Sequence, residues 1–157
     1  LEELLLVSEK LNDFSILSPI CSDKNFPNYG VSNQKTTLRD KNLPFTVDYV
    51  DGFSMLLNKN KFKNDNYFDE NFFMYLENDD LCKRIIYNGG NIFIVPRAKI
   101  NHLGSKAVDK KYENEVELSR NWHWIWSKFY FNKKHFGYLI AFLEGLPRFL
   151  SSLFNTS

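Results

Sequence analysis

Between Asp79 and Pro96 the chain reads DDLCKRIIYNGGNIFIVP, and this run limits its folding choices more than any other. Leu81, Ile85 and Ile86 fall at helical spacing behind an Asn/Asp start, and Gly89-Gly90 stops the pattern. NIFIVP then alternates as a strand and ends at Pro96. A helix that feeds straight into a strand belongs to an α/β fold.

The flanking segments agree. LEELLLVSEKLN has a helix pattern through Leu1, Leu4, Leu5 and Leu11, with Val7 nearby. FSILSPI is a short buried strand stopped by Pro19. Residues 22–44 read as a long polar loop, of a length that is uncommon unless functional or mobile. FTVDYVDGFSMLLNKNKF gives two strand runs broken at Asp51-Gly52, where the glycine implies a bend or a close backbone approach. FDENFFMYLEN is irregular or a single turn, and AKINHLGS is one more short strand.

From Lys111 the pattern changes. YENEVELSRNWHWIWSKFYFNKKH reads as one long helix, acidic at its start and basic at its end, as the helix dipole favours. FGYLIAFLEGLPRFLSSLF is more apolar, but Glu144, Pro147 and Arg148 interrupt it too often for a membrane span. The expected division is therefore an α/β part over 1–110 and a helical tail over 111–157. The chain has no P-loop and no GxGxxG, and too few parallel βα units for a complete nucleotide-binding fold of its own.

Composition narrows the function classes. A net charge of +1 argues against a nucleic-acid binder driven by bulk charge. Fifteen Phe, 8 Tyr and 3 Trp exceed what a small core needs, and point to a carbohydrate-like, membrane-adjacent or partner surface. Lys128, Lys133, Lys134 and Arg148 among those aromatics suit a helix pair lying on a membrane face. A helical hairpin packed on the domain fits them equally well. Cys21 and Cys82 form neither a zinc pattern nor a disulfide framework, which fits a reducing cytoplasm. The first residues carry acids where a signal peptide has bases, and the chain starts at Leu1, a hint of residues missing upstream.

The chemistry-bearing residues cluster around Glu77. The bland interpretation is that Asn78 caps a helix, the acids greet its positive end, and Asp79 and Asp80 pair on the surface with Lys83 and Arg84. The functional one is a carboxylate beside the apolar FFMYL, where such walls make it a better base for a sugar hydroxyl. His102 stands at a strand end, where sites tend to lie in open α/β sheets, and a neutral imidazole there can help complete a Mn²⁺ or Mg²⁺ site. His123 and His135 do not look like ligands.

The ordered run Gly52, Phe68-Asp69-Glu70, Phe72-Phe73, Tyr75, Glu77, Asp80-Leu81-Cys82, Arg84, Gly89 or Gly90, Pro96, His102, Gly104 and Ser105 resembles the second half of a family 2 glycosyltransferase with a GT-A fold, of the bacterial rhamnosyltransferase-like kind. The likeness covers roughly residues 1–106. It implies a partial GT-A mixed sheet with a C-terminal helical tail. It also implies inverting transfer of a sugar from a UDP- or dTDP-linked donor to a glycan or lipid-linked acceptor, in cell-surface polysaccharide synthesis at the inner face of a membrane. By position, Glu77 and Asp80 fall on the catalytic acidic motif, and His102 on an occasional metal ligand. Asp51, Gly52, Asp69, Glu70 and Asn78 fall on the substrate side, and a divalent metal, Mn or Mg, is the expected cofactor.

Two departures qualify the resemblance. Where the commonest motif has an aspartate base the chain has Asn78, and an amide cannot accept that proton, which leaves Glu77 or Asp80. The nucleotide-binding half with its Asp-x-Asp is missing, so the chain is expected to be a fragment with little activity by itself. The competing expectation is a non-catalytic module whose tail docks a membrane or a partner. A metal-dependent hydrolase is disfavoured, since one histidine alone is well placed.

Overall fold

The computed structural model describes residues 1–23, 25–31, 42–62, 66–102 and 110–154, with the side chains at 110, 113, 114 and 148–154 outside that description. Gly104, Ser105, the Arg148 side chain and much of the 22–44 loop therefore lie beyond the described residues. The chain divides into two compact units, one of 1–69 and 78–104, the other of 70–77 and 105–157.

The first unit is mixed α/β. Its elements are α1 (Glu2–Lys10), β1 (Ile16–Cys21), β2 (Tyr29–Gly30), β3 (Phe45–Val47), β4 (Tyr49–Val50), β5 (Leu56–Leu57), α2 (Glu77–Tyr87) and β6 (Ile92–Ile100). Four strands make one sheet in the order β3-β6-β1-β5, and β2 pairs with β4 in a small second sheet. β1 and β6 run parallel, while β3 on β6 and β5 on β1 are antiparallel.

Strand alternation sorts the core onto two faces. Ile16, Ile92 and Ile94 pack with Leu81, Cys82 and Ile85 of α2. Leu17 and Val95 turn the other way, to Leu4 of α1 and to Phe14 and Ala98. Each of these fully buried aliphatic side chains contributes about 1.5–3 kcal/mol. Ile86, expected to face inward, is exposed; the buried face of α2 instead runs through Asp80, Leu81, Cys82 and Ile85.

Two further expectations are corrected. Neither Pro19 nor Pro96 ends a strand, and NIFIVP and AKI form one continuous β6. The β1–β6 register pairs Pro19 with Val95 and then Ile20 with Lys99, so the ladder shifts where both prolines stand. Proline gives the ladder no N–H, and an irregularity of this kind is where a sheet interior tolerates it. The FTVDYVDGFSMLL segment holds three short strands, since β3 and β4 join different sheets; the break at Asp51-Gly52 is present.

The stop of α2 follows its glycines. Gly90 N–H donates to Ile85 O at 2.9 Å and Gly89 N–H to Ile86 O at 3.0 Å, the paired bonds of a Schellman motif. Gly89 has φ +76°, and a Cβ on Gly90 would stand 2.7 Å from Ser15 Oγ, so each glycine answers a separate demand.

The second unit is a helical hairpin with the 70–77 segment. α3 (Glu113–Phe136) ends at Gly137, and α4 (Tyr138–Phe154) follows at once. Ser127 Oγ donates to Met74 O at 2.6 Å, Phe72 meets Tyr130 edge-on at 4.9 Å, and Tyr75 meets Trp124 at 5.6 Å. His123, Trp124, Ser127 and Tyr130 thus form one face of α3, turned to the 72–75 segment. Among the described residues no helix is long and apolar enough to cross a membrane.

Candidate functional site

In the first unit, polar side chains gather at the turn that follows β4. Asn78, one residue inside α2, donates its Nδ2 to Val50 O at 3.0 Å. It therefore ties the helix to β4, a different task from the capping expected of it. A Cβ on Gly52 would lie 3.3 Å from Asn78 Cβ, so the missing side chain lets the turn close onto the helix. The close approach expected at Gly52 exists, and its partner is Asn78. Cys82 Sγ also points to Val50 O, at 3.9 Å, and burial pushes its thiol up to about 12, far from a reactive thiolate.

Asp51 and His102 belong to the same corner. The His102 ring stacks on Phe53 with centroids 4.4 Å apart and planes 3° from parallel. Stacking covers one face of the imidazole and leaves its two nitrogens on the ring edge, outside the stack. Burial raises the Asp51 carboxyl above its usual value, and the nearby His102 pulls it back down. Burial also raises Tyr49, with the charges of Asp51 and Asp79 adding to it. Asp51, Gly52, Asn78 and His102, named from the sequence, are thus brought together with Tyr49 and Phe53, which were not. An aromatic directly after the Asp-Gly break was the available signal for Phe53.

Asp80 has a different setting. Its carboxylate is fully buried and receives Arg84 Nε at 2.8 Å. Arg84 carries the bond onward, donating to Asn66 O at 3.3 Å and to Tyr67 O. The pair expected on the surface is an internal clamp that fastens the 66–67 segment to α2. Asp69 closes one stretch of the first unit and Glu70 opens the second unit. Asp69 is half-buried and Glu70 is exposed.

Glu77 is the first residue of α2 and the last of the 70–77 segment. Its Oε2 is buried, with no hydrogen-bond partner among the described residues. Tyr75 and Leu76, just before it, both have left-handed backbones, at φ 71° and 64°. Left-handed conformations are uncommon for side-chain-bearing residues and cluster at functional sites. Nothing in the FFMYL sequence signals this pair. Among the described residues no group of three His, Cys, Asp or Glu side chains is gathered for a metal.

Compared with profiles of known families, with characterised proteins and with solved structures, the chain finds no match in any of the three.

Proposed function

We infer that the chain is the acceptor-side part of an inverting glycosyltransferase, with GT-A-type architecture, acting on a UDP- or dTDP-sugar. The observation that carries the reading is Glu77 Oε2, a carboxylate oxygen taken out of water without a donor to satisfy it. A carboxylate in that state is suited to receive the proton of a sugar hydroxyl. In the proposed reaction the acceptor oxygen attacks the anomeric carbon. Its proton passes to Glu77, and the bond to the diphosphate breaks with its electron pair leaving on the nucleotide, which inverts the centre.

Asp80 lends the site its frame: with Arg84 on its carboxylate it holds α2 in place, and Glu77 takes the role of base. Asp51 and Asn78 line the corner, and Phe53 offers a ring face for a sugar or a base. Asp69 and Glu70 retain the acceptor-side role. His102 and Asp51 are the donors this chain would give a divalent cation: the imidazole nitrogens are free of the stack, and a cation beside Asp51 would relieve the cost of its buried charge. That cation would steady the leaving diphosphate. Exposed aromatics on α3 and α4, with the exposed Lys134 on α3, support a peripheral position on the cytoplasmic face of a membrane.

The test is transfer and hydrolysis of UDP- and dTDP-sugars with Mn²⁺ by the chain joined to a nucleotide-binding half of the GT-A type. Turnover that falls a hundredfold or more in Glu77→Gln, with an unchanged melting midpoint, is the expected result. Equal turnover in Glu77→Gln, or none in the parent protein, overturns the reading. The Asp80–Arg84 clamp favours a second reading, a non-catalytic module whose acids hold the fold together. That module would bind without turnover.

A further inference from the structure

Tyr75 and Leu76 stand side by side with φ 71° and 64°, and Glu77 follows directly. In the left-handed region a side chain's own Cβ crowds the next carbonyl, so each residue is held there against its preference. Strain of this kind persists only where the surroundings over-determine the backbone. Two such residues in succession also turn the chain, so their angles set the direction in which Glu77 leaves the segment.

The surroundings that hold the pair are on α3. Ser127 is 1% exposed, and its Oγ donates to Met74 O at 2.6 Å. A serine inside a helix commonly turns its hydroxyl back to the carbonyl four residues earlier. This one gives its proton instead to the residue just before the left-handed pair. The Tyr75 ring meets Trp124 edge-on at 5.6 Å, which fixes the first member of the pair itself. Phe72 rests on Tyr130 at 4.9 Å and Phe73 on His123 at 4.6 Å. The segment is thus gripped at four consecutive residues, 72 to 75, all within the second unit. Immediately beyond the grip and the turn comes Glu77, whose Oε2 is the buried side-chain atom without a hydrogen-bond partner among the described residues.

We propose that Ser127 is a positioning residue for Glu77: its bond to Met74 O, with Trp124 against Tyr75, secures the left-handed turn that aims the carboxylate. The inference rests on the reading of Glu77 as base. It adds that α3, a tail helix by its sequence, belongs to the catalytic apparatus. Ser127 acts through the backbone of residues 74–77 and touches no substrate.

The test uses the chain joined to a nucleotide-binding half, as above. Ser127→Ala is expected to lower kcat about ten- to a hundredfold with donor KM nearly unchanged, because a misplacement of about 1 Å costs a reacting group on that order. The decisive arm is a rescue. Glycine adopts φ > 0 about as readily as φ < 0, so Ser127→Ala/Leu76→Gly is expected to regain several-fold in kcat. Ser127→Ala/Leu76→Ala removes the same side chain but keeps the Cβ, and is expected to regain nothing. A serine that only stabilised the fold would produce no such difference. If Ser127→Ala does not fold, Trp124→Phe replaces it with the same two changes at Leu76. Backbone ¹³C shifts of Tyr75 and Leu76, which report φ, are expected to leave their left-handed values in Ser127→Ala. Unchanged kcat in that variant, or equal rescue by glycine and alanine, overturns the positioning role. Equal turnover in Glu77→Gln removes the base and the positioning role with it. Lost turnover in Glu77→Gln beside unmoved shifts in Ser127→Ala overturns the positioning alone.

Discussion

The two units use their apolar residues in opposite ways. In the first, aliphatic side chains on both faces of the sheet are buried to within a few per cent, and the buried polar side chains Ser18, Asn28 and Asp80 are hydrogen-bonded. In the second, Phe72 and Ala141 are buried, while Trp122, Trp126, Leu139, Phe142 and Leu143 stay exposed. The contrast teaches that high aromatic content is no measure of core. The first unit buries an aliphatic sheet core, though Phe26 and Tyr87 stay exposed; the second keeps most of its large apolar side chains on the surface, where large apolar patches mark interaction sites.

The comparison breaks most readily at the clamp. Asp80→Asn strips Arg84 of its buried carboxylate, and a loss of about 3–5 kcal/mol is expected in chemical denaturation; a loss below about 1 kcal/mol would mean that the pair is solvated. Next come paired truncations. Ile94→Ala, in the sealed core, is expected to cost about 2–5 kcal/mol. Trp126→Ala, half-exposed on α3, is expected to cost well under half of that. Equal losses would erase the distinction between the units. Asn78→Ala removes the bond to Val50 O and is expected to cost about 1–2 kcal/mol.

The smallest effect has the opposite sign. Folding raises the Asp51 carboxyl above its usual 3.8, so the folded chain holds that proton more tightly than the unfolded chain does. The ionised group therefore costs stability at neutral pH. That cost fades as pH falls through the raised value and is gone below 3.8. Asp51→Asn is expected to raise the melting midpoint modestly at neutral pH, with a gain that shrinks on acidification. A lowered midpoint at neutral pH would show that the carboxylate stabilises the fold.

Much of this was legible in the chain. The helices of the tail, α2 with its Gly89-Gly90 stop, and the break at Asp51-Gly52 follow from local periodicity and turn chemistry. The proline sites were misread because local rules treat Pro19 and Pro96 as strand ends, whereas the register shift that admits them arises between strands some 75 residues apart. Asp80 was misread because i,i+4 spacing reports a pair with Arg84 but not its depth. The corner itself was half legible. Asp51, Gly52, Asn78 and His102 were singled out, but the stacking of Phe53 on His102 depends on tertiary placement that no local pattern encodes.

Pro19 and Pro96 have a consequence for the chain before it folds. ILSPIC and IFIVPR are rich in β-branched and aromatic residues and poor in charge, the composition of segments prone to stack into fibrils. A proline in each denies a growing cross-β array one donor per layer. The same two residues that interrupt the native ladder should therefore act as gatekeepers during synthesis, when neither segment yet has its partner.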